Sequence, residues 1–145
     1  MKYDDASWHH GGEFPEDLPE EAGGTHTGMF LAWALLSGLG GELHVDECPE
    51  DLEQITSRSI TPGAFFMSAC DGKLTDEDLN EEGNAFASEY YVFETGKYLL
   101  DYGTTLGGDL PDLYHVEDTW ENFDRIRPVI DERFRTWKAG NPKAR

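Results

Sequence analysis

Hydrophobic residues in the first third of the chain concentrate in one stretch, from Gly28 to Leu36. This stretch is apolar on nearly every side of a helix, so it predicts a buried central helix. Thr25 or Thr27 can cap the start of this helix, and the glycines at positions 38, 40 and 41 are typical of a helix end.

Two shorter helices are predicted after the central one. Pro49 is suited to the first turn of the first of these helices, which turns Ile55 towards the core. Thr61 followed by Pro62 has the pattern of an N-cap and a first-turn proline, and it predicts a second helix that ends before residue 71.

The second half of the chain predicts three more helices. Thr75 and Asp78 resemble a capping box and predict a helix that begins directly after Thr75. We also assign a short helix to residues 97–106. A long last helix, capped by Asp118 or Thr119, has apolar residues at every third or fourth position.

The stretch from Tyr3 to Gly24 is rich in glycine, proline and acidic residues, which predicts an ordered loop instead of a helix or strand. Patterns typical of strands are few elsewhere. We therefore expect an all-α fold: a compact bundle of about five or six helices, with a long ordered N-terminal loop. Residues 1–145 are expected to form one acidic helical domain, because no linker divides them.

The chain is strongly acidic, with 30 Asp and Glu against 11 Lys and Arg and a formal net charge of -19. Nucleic acids and anionic membranes would repel such a chain, so we expect neither as a partner. Residues 119–145 hold 4 acids and 7 bases. This segment could therefore dock on the acidic remainder, with its arginines as candidate pairing groups: Arg125, Arg127, Arg133 and Arg135.

Location and redox state follow from simple features. The first residues lack the apolar run of a secretory signal, and the longest apolar stretch is too short to cross a bilayer, so we expect a cytoplasmic protein. Cys48 and Cys70 form no disulfide framework and would be reduced there. Neither cysteine has a basic neighbourhood that would make it a nucleophile, so both are interpreted as structural.

Candidate chemistry is limited to histidines and acids near the start of the chain. No nucleophile elbow, phosphate loop or paired-cysteine motif is found, and we expect no cofactor. Imidazole and carboxylate groups together suit zinc, manganese or iron. A metal-binding domain or enzyme is therefore an alternative function, although no spacing is diagnostic. Its candidate ligands are His9, His10 and His26 with neighbouring carboxylates.

Four segments resemble a family of small uncharacterised bacterial proteins: the residues from Tyr3 to His9, from Phe14 to Pro19, from Thr25 to Trp33 and from Tyr114 to Trp120. The resemblance spans nearly the whole chain and implies no catalytic residues. In size and charge such proteins are similar in kind to immunity proteins, which neutralise a toxin.

The leading hypothesis is an immunity-type protein that binds and occludes a basic effector toxin through acids and an aromatic anchor. A structural subunit that forms homo-oligomers is a further alternative, and the oligomeric state is left open. The candidate partner-binding residues are Asp4, Asp5, Trp8, Glu13, Glu16, Asp17, Asp76, Glu77, Asp78, Glu81 and Glu82.

Overall fold

Helices make up most of the computed structural model, which describes residues 2–10, 16–92 and 96–140, with only the backbone described at His10 and Glu20. The α-helices are α1 (Ala6–His10), α2 (Thr25–Leu36), α3 (Pro49–Thr56), α4 (Pro62–Ala69), α5 (Glu81–Tyr90), α6 (Tyr98–Tyr102) and α7 (Trp120–Gly140). Shorter 3-10 or π-helical turns cover Glu20–Gly24, Leu43–Glu47, Asp76–Asp78, Gly103–Gly107 and Leu113–His115. Strands β1 (Lys2–Asp5) and β2 (Lys73–Thr75) form one antiparallel pair. The expected all-α fold is confirmed in so far as the structure is mostly helical, but the described residues form seven α-helices instead of five or six, together with one two-stranded sheet.

Helix α2 is the centre of the core, as its apolar sequence predicts. Every residue from Thr25 to Leu35 is buried, and Phe30 packs against the rings of Trp33 and Tyr91. The expected threonine cap is wrong, because the helix begins at Thr25 after Gly24 without a side-chain cap. Thr25 and Thr27 lie inside the helix, where their side chains are buried.

Helices α2 and α4 approach each other at Gly28. A Cβ atom at this position would lie 2.6 Å from the Pro62 carbonyl oxygen and 2.8 Å from the Gly63 Cα. Helix α4 begins as predicted, because the Thr61 hydroxyl accepts a hydrogen bond from the Ala64 amide at 3.4 Å. The start of α4 is thus held directly against the backbone of the central helix.

Helix α7 covers the core with Phe123, Ile126 and Ile130, which are buried. Of the four arginines expected to dock on the acidic remainder, Arg133 does so through two hydrogen bonds to Asp101. The others contact the Thr105 carbonyl (Arg125), the Phe123 ring (Arg127) and Glu132 of the same helix (Arg135). Although α7 has 21 residues, neither it nor any other helix in the described ranges is long and apolar enough to cross a membrane.

The prediction of an N-terminal loop from Tyr3 to Gly24 is wrong for residues 3–10 and 20–24, while its residues 11–15 lie outside the described part of the chain. Residues Lys2–Asp5 form a strand because a distant segment, β2, provides its hydrogen-bonding partner, with Asp4 opposite Leu74. Helix α1 follows at once because Asp5 caps it, its Oδ1 accepting from the Ser7 amide at 2.9 Å. The loop interpretation missed both features, since one is long-range and the other rests on a single capping residue.

The capping box at Thr75 and Asp78 is confirmed, but it opens the 3-10 turn Asp76–Asp78 and not a long helix. Helix α5 begins later, at Glu81, with its own cap: the Asn80 side chain accepts from the Gly83 amide at 2.8 Å. Leu79, between the turn and the helix, has an extended backbone and a buried side chain.

We expect Gly28→Ala to lower the free energy of unfolding by about 1–3 kcal/mol, because the added methyl group meets backbone atoms of α4 that cannot rotate away. Gly103→Ala is the control, since no atom lies within 4 Å of the position that its added methyl group would take. Urea unfolding followed by circular dichroism measures both variants. Equal stability of the two variants would contradict a tight contact at Gly28.

Candidate metal centre

The Asp4 carboxylate lies fully inside the protein and is surrounded by hydrogen-bond donors. Its Oδ1 accepts from the Asp5 amide at 2.8 Å and lies 2.8 Å from His9 Nε2. Its Oδ2 accepts from the Thr27 hydroxyl at 2.9 Å and from the Tyr91 hydroxyl at 2.5 Å. Both oxygens are therefore oriented by partners that reach them from different parts of the chain.

His9 lies between the carboxylate and a tyrosine. Its Nε2 faces Asp4, and its Nδ1 lies 2.8 Å from the Tyr114 hydroxyl. A hydroxyl can either donate or accept a hydrogen bond, so Tyr114 is compatible with a proton on either nitrogen of the ring. The His9 ring is held in place by contacts at both of its nitrogens.

His26 is the third member of the cluster and the most enclosed. Its Nε2 lies 3.3 Å from Asp4 Oδ2, but neither ring nitrogen has a hydrogen-bond partner within the described residues. The ring meets that of His9 edge-on, with 4.5 Å between centroids. A buried imidazole without partners is costly, which makes this position the least satisfied part of the cluster.

Three short elements bring the ligands together. Strand β1 directs Asp4 inwards, helix α1 places His9 five residues later, and the first turn of α2 supplies His26. One potential ligand atom from each of these side chains lies within 4.8 Å of the other two. The position of Asp4 in this cluster depends on the pairing of β1 with β2, because that pairing holds β1 in place.

The pKa values of two members of this cluster favour an ionised Asp4 carboxylate and a neutral His26 imidazole. Burial alone would raise the pKa of Asp4, but the neighbouring His26, His9 and Tyr91 side chains outweigh it and hold that pKa far below its ordinary value. Burial lowers the pKa of His26 despite the nearby Asp4 charge. An anionic oxygen ligand therefore lies beside a nitrogen ligand that carries no charge.

Aromatic side chains close the space around the histidines. The Tyr98 hydroxyl donates to the His26 carbonyl oxygen at 2.5 Å, and the Tyr102 ring lies 6.0 Å from the His26 ring. The Tyr102 hydroxyl is buried and has no partner among the described residues. Burial raises the pKa of Tyr91, Tyr98 and Tyr102, so their hydroxyl groups keep their protons.

The structure thus brings together two of the three histidines named as candidate ligands, His9 and His26, with Asp4 as the carboxylate. The His10 side chain lies outside the described part of the chain, as does residue Glu13. Asp5 faces away from the cluster: it caps α1 and pairs with Lys2 at 2.8 Å. These bonds outweigh the effect of burial and lower the pKa of Asp5 to about 2.

The candidate partner-binding residues divide by exposure. Asp4, Asp5 and Asp78 are buried, so their carboxylates do not belong to an acidic surface. Trp8 is 52% exposed. The remaining described candidates are exposed or, for Glu82, half-buried: Glu16, Asp17, Asp76, Glu77, Glu81 and Glu82.

Sequence reasoning missed the residues that surround the ligands. The sequence pattern predicts Thr27 as a helix cap and gives Tyr91 and Tyr114 no role beside the ligands. Tyr91 lies 87 residues from Asp4 along the chain, and Tyr114 lies 105 residues from His9. No local pattern could have indicated these contacts, because they exist only after the helices pack.

Comparisons with known proteins identify a family but no activity. A family model described as "Domain of unknown function (DUF7832)" matches residues 2–116. No curated protein and no solved structure matches the chain. The matched residues include the whole Asp4, His9 and His26 cluster together with Tyr91 and Tyr114, and they end before α7.

We expect Tyr91→Phe to lower the free energy of unfolding by about 1.5–3 kcal/mol, because it removes a hydrogen bond to an ionised buried carboxylate. Tyr102→Phe is the matched control, since it removes a buried hydroxyl that has no partner in the described ranges. The control should be as stable as the wild type or more stable. Denaturant unfolding of the metal-free proteins at neutral pH measures both, and equal losses would contradict the assigned role of Asp4.

Proposed function

The chain belongs to the DUF7832 family, whose function is unknown, and we propose that it is a metal-binding protein with Asp4, His9 and His26 as ligands. The observation that carries this proposal is the convergence of these three side chains in the interior, with the His26 ring nitrogens left without hydrogen bonds among the described residues. Two imidazoles and a carboxylate form a donor set that suits zinc, manganese or iron(II).

Two distances at Asp4, one to each of its carboxylate oxygens, are compatible with a bound ion. At metal–ligand distances of about 2.1 Å, two ligand atoms on one edge of a tetrahedron or octahedron lie about 3.0–3.4 Å apart. The 3.3 Å between His26 Nε2 and Asp4 Oδ2 falls in this range. The 2.8 Å between His9 Nε2 and Asp4 Oδ1 is a hydrogen-bond distance. A metal ion would take the place of the proton between His9 Nε2 and Asp4 Oδ1 once these two atoms moved apart by a few tenths of an ångström.

The surroundings provide what a metal centre needs beyond its ligands. When Nε2 of His9 binds an ion, the ring proton must sit on Nδ1, where the Tyr114 hydroxyl oxygen can accept it. Thr27 and Tyr91 orient the Asp4 carboxylate in the same way. Such outer partners fix the tautomer and orientation of metal ligands in known sites.

Three protein ligands leave a coordination position for water or a substrate, which is the ligand number of catalytic zinc sites. Within the protein, a bound ion would polarise that water or substrate. Asp4 would supply the negative charge of the centre, and the tyrosines would limit access of bulk water to it.

Metal analysis tests this proposal. We expect His26→Gln to lower the metal content by one equivalent per chain, because it removes a ligand, and His115→Gln to leave the content unchanged. His115 is a suitable control because it lies near the surface and pairs with Asp17 and Asp112, away from Asp4. Tyr114→Phe keeps all three ligands but removes the partner of His9, so it should lower the metal affinity about 10–100-fold. Equal metal contents in all three variants would refute the proposed centre.

A second candidate function is the immunity-type binding of a basic partner, such as an effector toxin, by a cytoplasmic protein. The specific observation in its favour is Trp8, a large aromatic side chain that is 52% exposed in a chain with a formal net charge of -19. Exposed acids remain at Glu16 and Asp17 and at Asp76, Glu77 and Glu81. Acids of this kind raise association rates with basic proteins, and exposed aromatics supply contact energy.

Charge reversal tests the second candidate. We expect the double variant Glu77→Lys, Glu81→Lys to lower the association rate with a basic partner, captured from host lysate at low salt, about tenfold or more. The double variant Glu50→Lys, Glu53→Lys changes the net charge equally at exposed positions of α3, so it controls for charge alone. Capture that neither salt nor the first variant weakens would contradict this function.

A further inference from the structure

A second cluster of potential metal ligands, with two buried members, is formed by His44, Cys70 and Asp78. His44 belongs to the π-helical turn Leu43–Glu47, Cys70 follows the end of α4, and Asp78 ends the 3-10 turn Asp76–Asp78. The His44 and Asp78 side chains are almost fully buried, and Cys70 is half-buried. We infer that this cluster is a Zn²⁺ site, separate from the Asp4, His9 and His26 centre.

The three distances within the cluster are close to those of a zinc site. The Cys70 sulfur lies 3.5 Å from Asp78 Oδ1 and 3.8 Å from His44 Nε2, and the latter two atoms are 2.8 Å apart. With Zn–S at about 2.3 Å and Zn–N or Zn–O at about 2.0–2.1 Å, tetrahedral edges to sulfur are about 3.5 Å and the nitrogen–oxygen edge about 3.3 Å. On zinc binding, only His44 Nε2 and Asp78 Oδ1 have to move apart, because a hydrogen bond holds them 2.8 Å from each other in the metal-free protein.

Without a metal, two donors share one carboxylate oxygen. The Cys70 thiol donates to Asp78 Oδ1, and His44 Nε2 lies within hydrogen-bond distance of the same atom. The other oxygen of Asp78 accepts from the Thr75 amide at 2.8 Å, which fixes the carboxylate. His44 Nδ1 has no partner among the described residues, so no contact there prevents the ring proton from moving to Nδ1.

Charge favours zinc at this position. On binding, the Cys70 S–H proton passes to solvent as the sulfur–zinc bond forms, which leaves a thiolate beside the Asp78 carboxylate. These two negative charges balance the two positive charges of the ion, and a compensated ion is the form that a buried site can hold. A thiolate also favours zinc over magnesium, calcium or manganese, which prefer oxygen ligands.

Zinc at this site would add a link between three segments that backbone hydrogen bonds, such as Asn80 to Leu39, and the Asp78 side chain already connect. The ion would connect the turn after α2 with the end of α4 and with the segment that precedes α5. Cys70 is the most exposed of the three side chains. The site would therefore act as a structural clamp on these three segments.

Cobalt titration tests the inference, because Co²⁺ bound to a thiolate has a charge-transfer absorption in the near ultraviolet. The wild type should develop this band with one equivalent of Co²⁺ and lose it when Zn²⁺ is added. Cys70→Ser should abolish the band, and Cys48→Ser, which changes the other free cysteine, should retain it. His26→Gln should also retain it, which separates this site from the proposed centre at Asp4.

Alkylation of the unsubstituted protein gives a second measurement that does not depend on how a variant folds. Zn²⁺ should slow the reaction of an alkylating reagent with Cys70 at least tenfold and leave the rate at Cys48 unchanged, as measured by peptide mass spectrometry. The absence of a cobalt band in the wild type, or a band that survives Cys70→Ser, would overturn the inference. Equal alkylation rates at Cys70 with and without Zn²⁺ would do the same.

Discussion

The rest of the structure depends on one buried negative charge, the carboxylate of Asp4. A carboxylate removed from water is stable only where donors replace its hydration. Here the backbone of β1, the side chains of His9 and Thr27 and the Tyr91 hydroxyl supply them. These groups come from the N-terminal strand, from α1 and α2 and from the residue that follows α5. The hydrogen bonds of this one carboxylate therefore hold four parts of the chain together.

The acidic residues of this chain have two physical roles, and the composition alone does not show which residue has which role. Some acids are internal structural groups: Asp78 holds the turn after β2, and Asp101 accepts from Tyr90 and pairs with Arg133 of α7. The acids on the surface, such as Glu77 and Glu81, are those that a charged partner would meet. The formal net charge therefore overstates the number of carboxylates that can act at a distance.

Local signals predicted the helices well. The all-round apolar sequence of α2, the Thr61–Pro62 start of α4 and the spacing of apolar residues in α7 are each contained within one helix, and each is confirmed. Strand β1 could not be predicted in the same way, because its partner is β2, about 70 residues away.

The candidate centre shows the same limit. His9 and His26 were recognised as possible ligands by residue type, and Asp4 was named both among the nearby acids and as a partner-binding residue. Their convergence depends on β1 directing Asp4 inwards and on α2 beginning at Thr25. Likewise, Asp78 was recognised as a capping residue, but its contacts with His44 and Cys70 arise from the packing of separate turns. The sequence shows which side chains have the chemical character of metal ligands, but it does not show which of them lie close together.

The close approach at Gly28 has a mechanical consequence. Because backbone faces backbone there, no flexible side chain lies between α2 and α4 to absorb a relative displacement. His26 stands two residues before this contact, and Cys70 follows the far end of α4. The first turns of α2 and α4 therefore cannot move closer together, which fixes the spacing between the turn that carries His26 and the start of α4.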